Sequence, residues 1–397
     1  MMGEESQYSL MVGMMYVFNS MFGIGILALP KAFADAGWLA SSVILVLAMV
    51  MSYITVTFLI EVMSSANARV VWNRNNDIHK ENEMILKENV PLSGKREEES
   101  THTKALHSES FSKYICCYYC LPDDRKPSVF DINEFLSLTD LTKMYFSTVF
   151  WIMFVMAFYL LAIGRGKGNP TLANFGALPN IFGACSLAAV SHATLPHIIP
   201  PIQNKTNLGL GIAIVFIVVS AFYALLSLLI MFTFENDKIQ EIVLLNFLDC
   251  SIVPGMFFIY FLGLYTTFKV SAVFPLNAVA LRDNIRAIFS SFQSSHIWVV
   301  ESLLFPLLTI IPPIVIAVIT ENIEVIVGIT GSYAATIIQF IIPPLLVHYS
   351  RRDTQEKFGL CIPMKHASPF QHNFWIILAI TFAVFTITSV TILYVTR

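Results

Sequence analysis

Charge is scarce in this sequence: Asp, Glu, Lys and Arg make up 13% of its 397 residues, where a soluble domain carries about a quarter. The net charge is −3, so no basic field suggests nucleic acid as a partner. Met1 to Gln7 carries Glu4 and Glu5 but neither a basic region nor a small-residue cleavage site, and no signal peptide is expected. There are no paired intramembrane aspartates, no histidine-rich metal cluster and no nucleophile with a base at fixed spacing. These absences argue against an enzyme, and neither a metal nor a cofactor is expected.

Apolar residues fill the space. They amount to 56% of the chain, with 32 phenylalanines, and place most of the protein in a lipid bilayer. Crossing about 30 Å of hydrocarbon takes about 20 helical residues. Nine runs are that long: Tyr8–Phe33 (A), Trp38–Met63 (B), Met144–Ile163 (C), Thr171–Ile199 (D), Leu208–Phe234 (E), Ile252–Ala280 (F), Ile297–Ile319 (G), Ile323–His348 (H) and Phe374–Val395 (I). The fold class is therefore an all-α membrane protein, a bundle of about nine transmembrane helices. Lys and Arg near the span ends number ten on the N-terminal side against five on the other, which puts the N-terminus in the cytosol and the C-terminus outside it. The Asn204-Lys205-Thr206 sequon then lies in the cytosol and stays unmodified. Of Cys185, Cys250 and Cys361 only Cys250 falls outside, and no disulfide within the chain is expected.

Three domains follow: 1–63 with the first two spans, 64–143 as a cytosolic loop, and 144–397 with the remaining seven. The loop is rich in Asn, Lys, Glu and Ser and is expected to be disordered. Its Cys116-Cys117-Tyr118-Tyr119-Cys120 run suits S-palmitoylation or is simply a set of exposed thiols. With His102 and His107 it does not complete a standard zinc spacing. The short segment Ile239–Leu248 is amphipathic and reads as a helix lying flat on the extracytosolic side.

Span A holds the main irregularity. Gly23 and Gly25, with Pro30 five residues on, predict a break in the helix. Main chain freed at membrane depth must face protein or a wet cavity, and such breaks bind the charged ends of small solutes. Freed amides favour a carboxylate and freed carbonyls an ammonium or Na⁺, so an amino acid satisfies both. The competing reading is that these glycines only allow close helix packing. Span D, with Gly176, Gly183, Ser191 and Pro196, is the other irregular span, whereas B and E read as plain scaffold.

The stretch Asn19 to Trp38, NSMFGIGILALPKAFADAGW, resembles the first-helix signature of the amino acid/auxin permease family of amino acid transporters. The resemblance continues in His192-Ala193-Thr194-Leu195-Pro196 and Gly328-Ile329-Thr330-Gly331-Ser332-Tyr333. Glu61 to Ala68, Leu281 to Asn284 and Arg351 to Gln355 are similar to one particular branch of that family. The resemblance implies an APC/LeuT-like inverted-repeat architecture: two five-helix repeats plus one helix, the first helix of each repeat broken, substrate held between the breaks. It implies a secondary transporter of amino acids or similar zwitterions, coupled to protons or sodium, in a lysosomal or other endomembrane or in the plasma membrane.

This chain departs from that pattern. Only B and C separate A from D, where the family places four helices, so its third and fourth helices are missing. A truncated isoform or a non-transporting membrane scaffold is the alternative function.

By the resemblance, Phe22, Gly23 and Gly25 at the first break, with Cys185 and Ser186 near the second, hold the substrate. Asn19, His192, Lys269 and Ser271 serve the coupling ion. Each has a plainer alternative. Asn19 suits an interhelical hydrogen bond, and His192 either gates a proton or bonds a neighbouring carbonyl. Lys269 stands midway along F, where a lone ammonium facing lipid costs about 2.5–3.5 kcal/mol. It takes a cation's place, snorkels, or pairs with Glu301, while Thr266, Thr267 and Ser271 offer a sodium site instead. Glu61 and Glu301 read as interfacial or structural, with a coupling role as the alternative, and Gln339 as a packing hydrogen bond.

Overall fold

The computed structural model describes residues 7–21, 25–88, 147–162, 168–247, 303–320, 328–358 and 366–396, with single positions at 260, 264, 274, 278, 281, 282, 284–286 and 326. It is an all-α membrane protein. Span A is two helices, α1 (Leu10–Met21) and α2 (Gly25–Ala36), whose axes differ by 53°. Pro30, expected to help break the span, sits inside α2. Gly37 then turns the chain with φ 93°, which favours glycine, and a Cβ there would stand 2.7 Å from the Ala173 backbone.

Helix α3 runs Trp38–Glu88, well past the expected end of B at Met63. Ser64 to Glu88 holds neither Gly nor Pro, so nothing in the backbone stops the helix. The first part of the expected disordered loop is thus helical, and 89–143, with the cysteine run, lies outside the described residues. The chain divides into a unit of Met1–Ala66 with Leu136–Arg397 and a second unit, Asn67–Phe135, whose described part is the helical stretch to Glu88.

Within the first unit, C is α4 (Ser147–Ala162). D is a 3₁₀ turn (Phe175–Ala177), α5 (Leu178–Ala188) and a single turn α6 (Leu195–Ile198). Asn174 caps the entry by accepting from Gly176 N–H at 3.2 Å, and Pro179 occupies the first turn, where no amide is needed. E is α7 (Leu208–Thr233). G is α8 (Phe305–Ile319), and H is a π-helical stretch (Thr330–Ala335, Ile337–Ile341) followed by α9 (Ile342–Phe358). Pro343 lacks the N–H that would reach the Gln339 carbonyl, and its ring crowds that carbonyl, which widens the preceding turn. I is α10 (Asn373–Thr396), and most of F lies outside the described residues.

Among the described residues four helices are long and apolar enough to cross a membrane: Trp38–Asn73, Leu208–Thr233, Thr330–Lys357 and Asn373–Thr396. The bent α1–α2 pair makes a fifth. The Ile239–Leu248 segment is not a flat helix; only Val243–Phe247 forms a 3₁₀ turn. Asn246 accounts for this, because its side chain accepts from Gln240 N–H and donates to the Val243 carbonyl, competing with helical bonds.

Two cores hold the unit together. One joins α1, α2, α5 and α7 through Met21, Leu29, Phe33, Ile181, Val219, Tyr223 and Ile230; the other joins α3, the π-helical stretch, α9 and α10 through Phe58, Phe340, Val347 and Ala379. Spans A and D are tied at both ends. At one end Tyr8 N–H donates to Pro201 O at 3.1 Å and Gln203 N–H to Tyr8 O at 3.0 Å. At the other, Trp38 N–H donates to Thr171 O at 3.1 Å and Asn174 N–H to Ala36 O at 2.8 Å.

Glu61 on α3 and Arg351 on α9 form a forked ion pair at 2.7 and 2.9 Å. Glu61 also accepts from Ser368 N–H at 2.9 Å, while Arg351 donates to the carbonyls of Gln371 and Phe370 and stands 5.6 Å over the Phe58 ring. The pair fastens the connection between α9 and α10 to the middle of α3, in keeping with a structural Glu61.

Candidate functional site

The helical breaks in spans A and D meet. A Cβ on Gly25 would stand 2.7 Å from both the N and Cα of Ala188, so the first residue of α2 rests directly on the last residue of α5. Only glycine leaves room for that approach. Gly25 therefore does what the packing reading expects. It also brings the opening of α2, with its freed amides, beside the end of α5, with its freed carbonyls.

From Ala189 to Thr194 the chain of span D is a series of turns. Thr194 Oγ1 and N–H both return to Ser191 O, at 2.9 and 3.1 Å, and Pro196 has no amide to offer. Carbonyls at the end of α5 then need partners from elsewhere, since an unpaired carbonyl in hydrocarbon costs several kcal/mol, roughly. Three neighbouring elements supply them. Gln339 Nε2 donates to Ser186 O at 2.6 Å, and Ser52 Oγ faces both Ala189 O at 3.2 Å and Gln339 Oε1 at 3.1 Å. Tyr223 Oη donates to Met21 O at 2.6 Å, with Ala188 O at 3.4 Å. Every one of these donors is neutral and buried.

His192 lies in the turn, 3% exposed, with Nε2 2.9 Å from Thr55 Oγ1. The threonine hydroxyl also faces Met51 O at 3.1 Å and Ser52 O at 3.0 Å. Where that hydroxyl gives its one hydrogen to a carbonyl it accepts from the ring, with the proton on Nε2 and a lone pair on Nδ1. Among the described residues Nδ1 has no hydrogen-bond partner, and neither do the hydroxyls of Ser186 and Ser191. These three atoms are the polar groups of the break that no described residue partners.

The structure brings several expected residues together. Gly25, Cys185, Ser186 and His192 all belong to the junction, and Cys185 is fully buried. Asn19 is half-buried in the last turn of α1. Phe22, Gly23, Lys269 and Ser271 lie outside the described residues, as does Glu301. Sequence reasoning passed over Tyr223, Ser52 and Thr55, all on helices taken as plain scaffold. A tyrosine in an apolar span carries a hydroxyl that must find an acceptor, and that was the available signal. Among the described residues, no group of three or more His, Cys, Asp and Glu is placed to hold a metal ion.

Comparison with known proteins agrees with this architecture. Residues 6–77 match the family model "Transmembrane amino acid transporter protein", a stretch that contains α1 and α2. Over 460 aligned residues the chain is 31% identical to transmembrane protein 104 of Homo sapiens, covering 93% of each. It is 32% identical to the Mus musculus protein of that name over 468 residues, covering 95% of this chain and 94% of the relative. A homolog from Drosophila melanogaster is 28% identical over 496 residues, covering 97% of each.

Proposed function

The chain belongs to the transmembrane protein 104 family, and from that premise we propose that it is a secondary transporter of amino acids or similar small zwitterions, driven by a proton or sodium gradient. The observation that carries the proposal is the meeting of two interrupted helices at Gly25 and Ala188. Amides at the start of α2 favour a carboxylate, and His192 Nδ1 with the hydroxyls of Ser186 and Ser191, which have no hydrogen-bond partner among the described residues, suits an ammonium. Phe22, Gly23, Gly25, Cys185 and Ser186 would line the substrate's place; Asn19, His192, Lys269 and Ser271 would serve the ion. The amino acid transporter model on residues 6–77 supports the same reading. The N-terminus is cytosolic and the C-terminus extracytosolic, in a lysosomal or other endomembrane or in the plasma membrane.

The test is uptake. Purified protein in proteoliposomes, offered radiolabelled amino acid mixtures, accumulates label saturably under an imposed proton or sodium gradient and loses it when an ionophore collapses that gradient. Absence of gradient-dependent flux in correctly inserted protein overturns the proposal.

A second reading, a scaffold or isoform without transport, has its own observation. The human alignment spans 460 positions but takes in only 93% of 397 residues, about 369. The difference, about 90 positions, is enough for two membrane spans of about 20 residues each with their loops. It supports the absence of the family's third and fourth helices from this chain.

A further inference from the structure

Two helix C-termini converge on one atom. Met21 is the last residue of α1 and Ala188 the last of α5, and their carbonyls stand 2.6 and 3.4 Å from Tyr223 Oη. Each C-terminus carries the equivalent of roughly half a negative charge, so two of them aimed at one point repel unless something positive stands between them. In transporters with discontinuous helices, such half-helix ends coordinate Na⁺ or a proton. Here the positive element is the hydroxyl hydrogen of Tyr223, held by a fully buried side chain on the unbroken helix α7.

We propose that Tyr223 takes the place of a bound cation, joining the ends of α1 and α5 so that this point of the site needs no ion. The assignment rests on the transporter reading of the junction and deepens it: the coupling ion acts elsewhere, and the bridge is part of the protein in every state. A hydroxyl also differs from an ion in that it cannot leave. The junction is therefore assembled before any solute or ion arrives.

The test needs no flux, so its failure is separable from failure of the transport proposal. The full-length protein is purified in detergent and melted in NaCl, LiCl or N-methylglucamine chloride at one ionic strength. Any rise the wild type shows with Na⁺ or Li⁺ comes from a coupling site elsewhere and is shared by the variant. Tyr223→Phe removes the hydrogen and leaves both carbonyls facing each other, so it melts lower in N-methylglucamine and recovers, saturably, with Na⁺ or Li⁺. The proposal is overturned by a saturable Na⁺ or Li⁺ rise of equal size in both proteins, or by a variant that melts as the wild type does in every salt. Should Tyr223→Phe fail to fold in N-methylglucamine, its yield decides: recovery of folded protein when the variant is extracted in Na⁺ or Li⁺ upholds the proposal, and no recovery in either salt overturns it.

Discussion

Replacing Arg351 with alanine tests what fastens the last two helices to α3. Glu61 is 3% exposed and holds Arg351 through two hydrogen bonds, at 2.7 and 2.9 Å. Without the guanidinium its carboxylate keeps only the Ser368 amide and is otherwise an uncompensated buried charge, a loss of about 3–5 kcal/mol. At about 2 °C per kcal/mol, the low end for long chains, the melting point falls by about 6–10 °C. Glu61→Ala costs less, about 1–3 kcal/mol, because Arg351 is 21% exposed and keeps the carbonyls of Gln371 and Phe370 as well as water. The order Arg351 above Glu61 is set by this difference in exposure. The double variant Glu61→Met with Arg351→Met should fall short of the sum of the single methionine variants by about 0.5–3 kcal/mol, since neither charge is then stranded. Thermal unfolding of purified protein in detergent, followed by tryptophan fluorescence, reads all of these. Single variants within 1 °C of the wild type, roughly, or a strictly additive double variant, would show that the pair carries no such load.

Gly25→Val should abolish uptake and lower the yield of folded protein, because even its Cβ would lie 2.7 Å from the Ala188 backbone; Gly25→Ala, at about 1–3 kcal/mol of overpacking, should be milder in a thermal melt. Gln339→Leu leaves Ser186 O without its donor and Ser52 Oγ without one of its partners, at a cost of about 1–3 kcal/mol measured the same way; unchanged stability would mean the bond contributes nothing. Asn204 should carry no glycan when the protein is expressed in animal cells, and a mobility shift on glycosidase treatment would reverse the assigned topology.

The positions of the breaks were legible in the sequence because glycine and proline act on the backbone locally. Gly25 in span A, and Ser191 with Pro196 in span D, sit where the helices stop or start. What satisfies the breaks was not legible. Tyr223 is 202 residues from Met21, and Gln339 is 153 from Ser186, so each pairing depends on the finished bundle. Its place near a span end marks Glu61 as interfacial or structural, but nothing local points to its partner Arg351, 290 residues on. The reach of α3 beyond Met63 was missed because low hydropathy was taken as the end of helix. Hydropathy marks where lipid ends, whereas Ser64 to Glu88 continues as helix without a Gly or Pro to stop it.

The lacing of the first span to the fourth has a mechanical side. Tyr8 grips Pro201 and Gln203 at one extremity, Gly25 bears on Ala188 midway, and Trp38 and Asn174 close the other extremity. Fixed at three heights, these two ruptured helices are tied into one rigid lever. If the protein carries solute as proposed, an opening toward either face of the membrane would turn that lever whole against its neighbours.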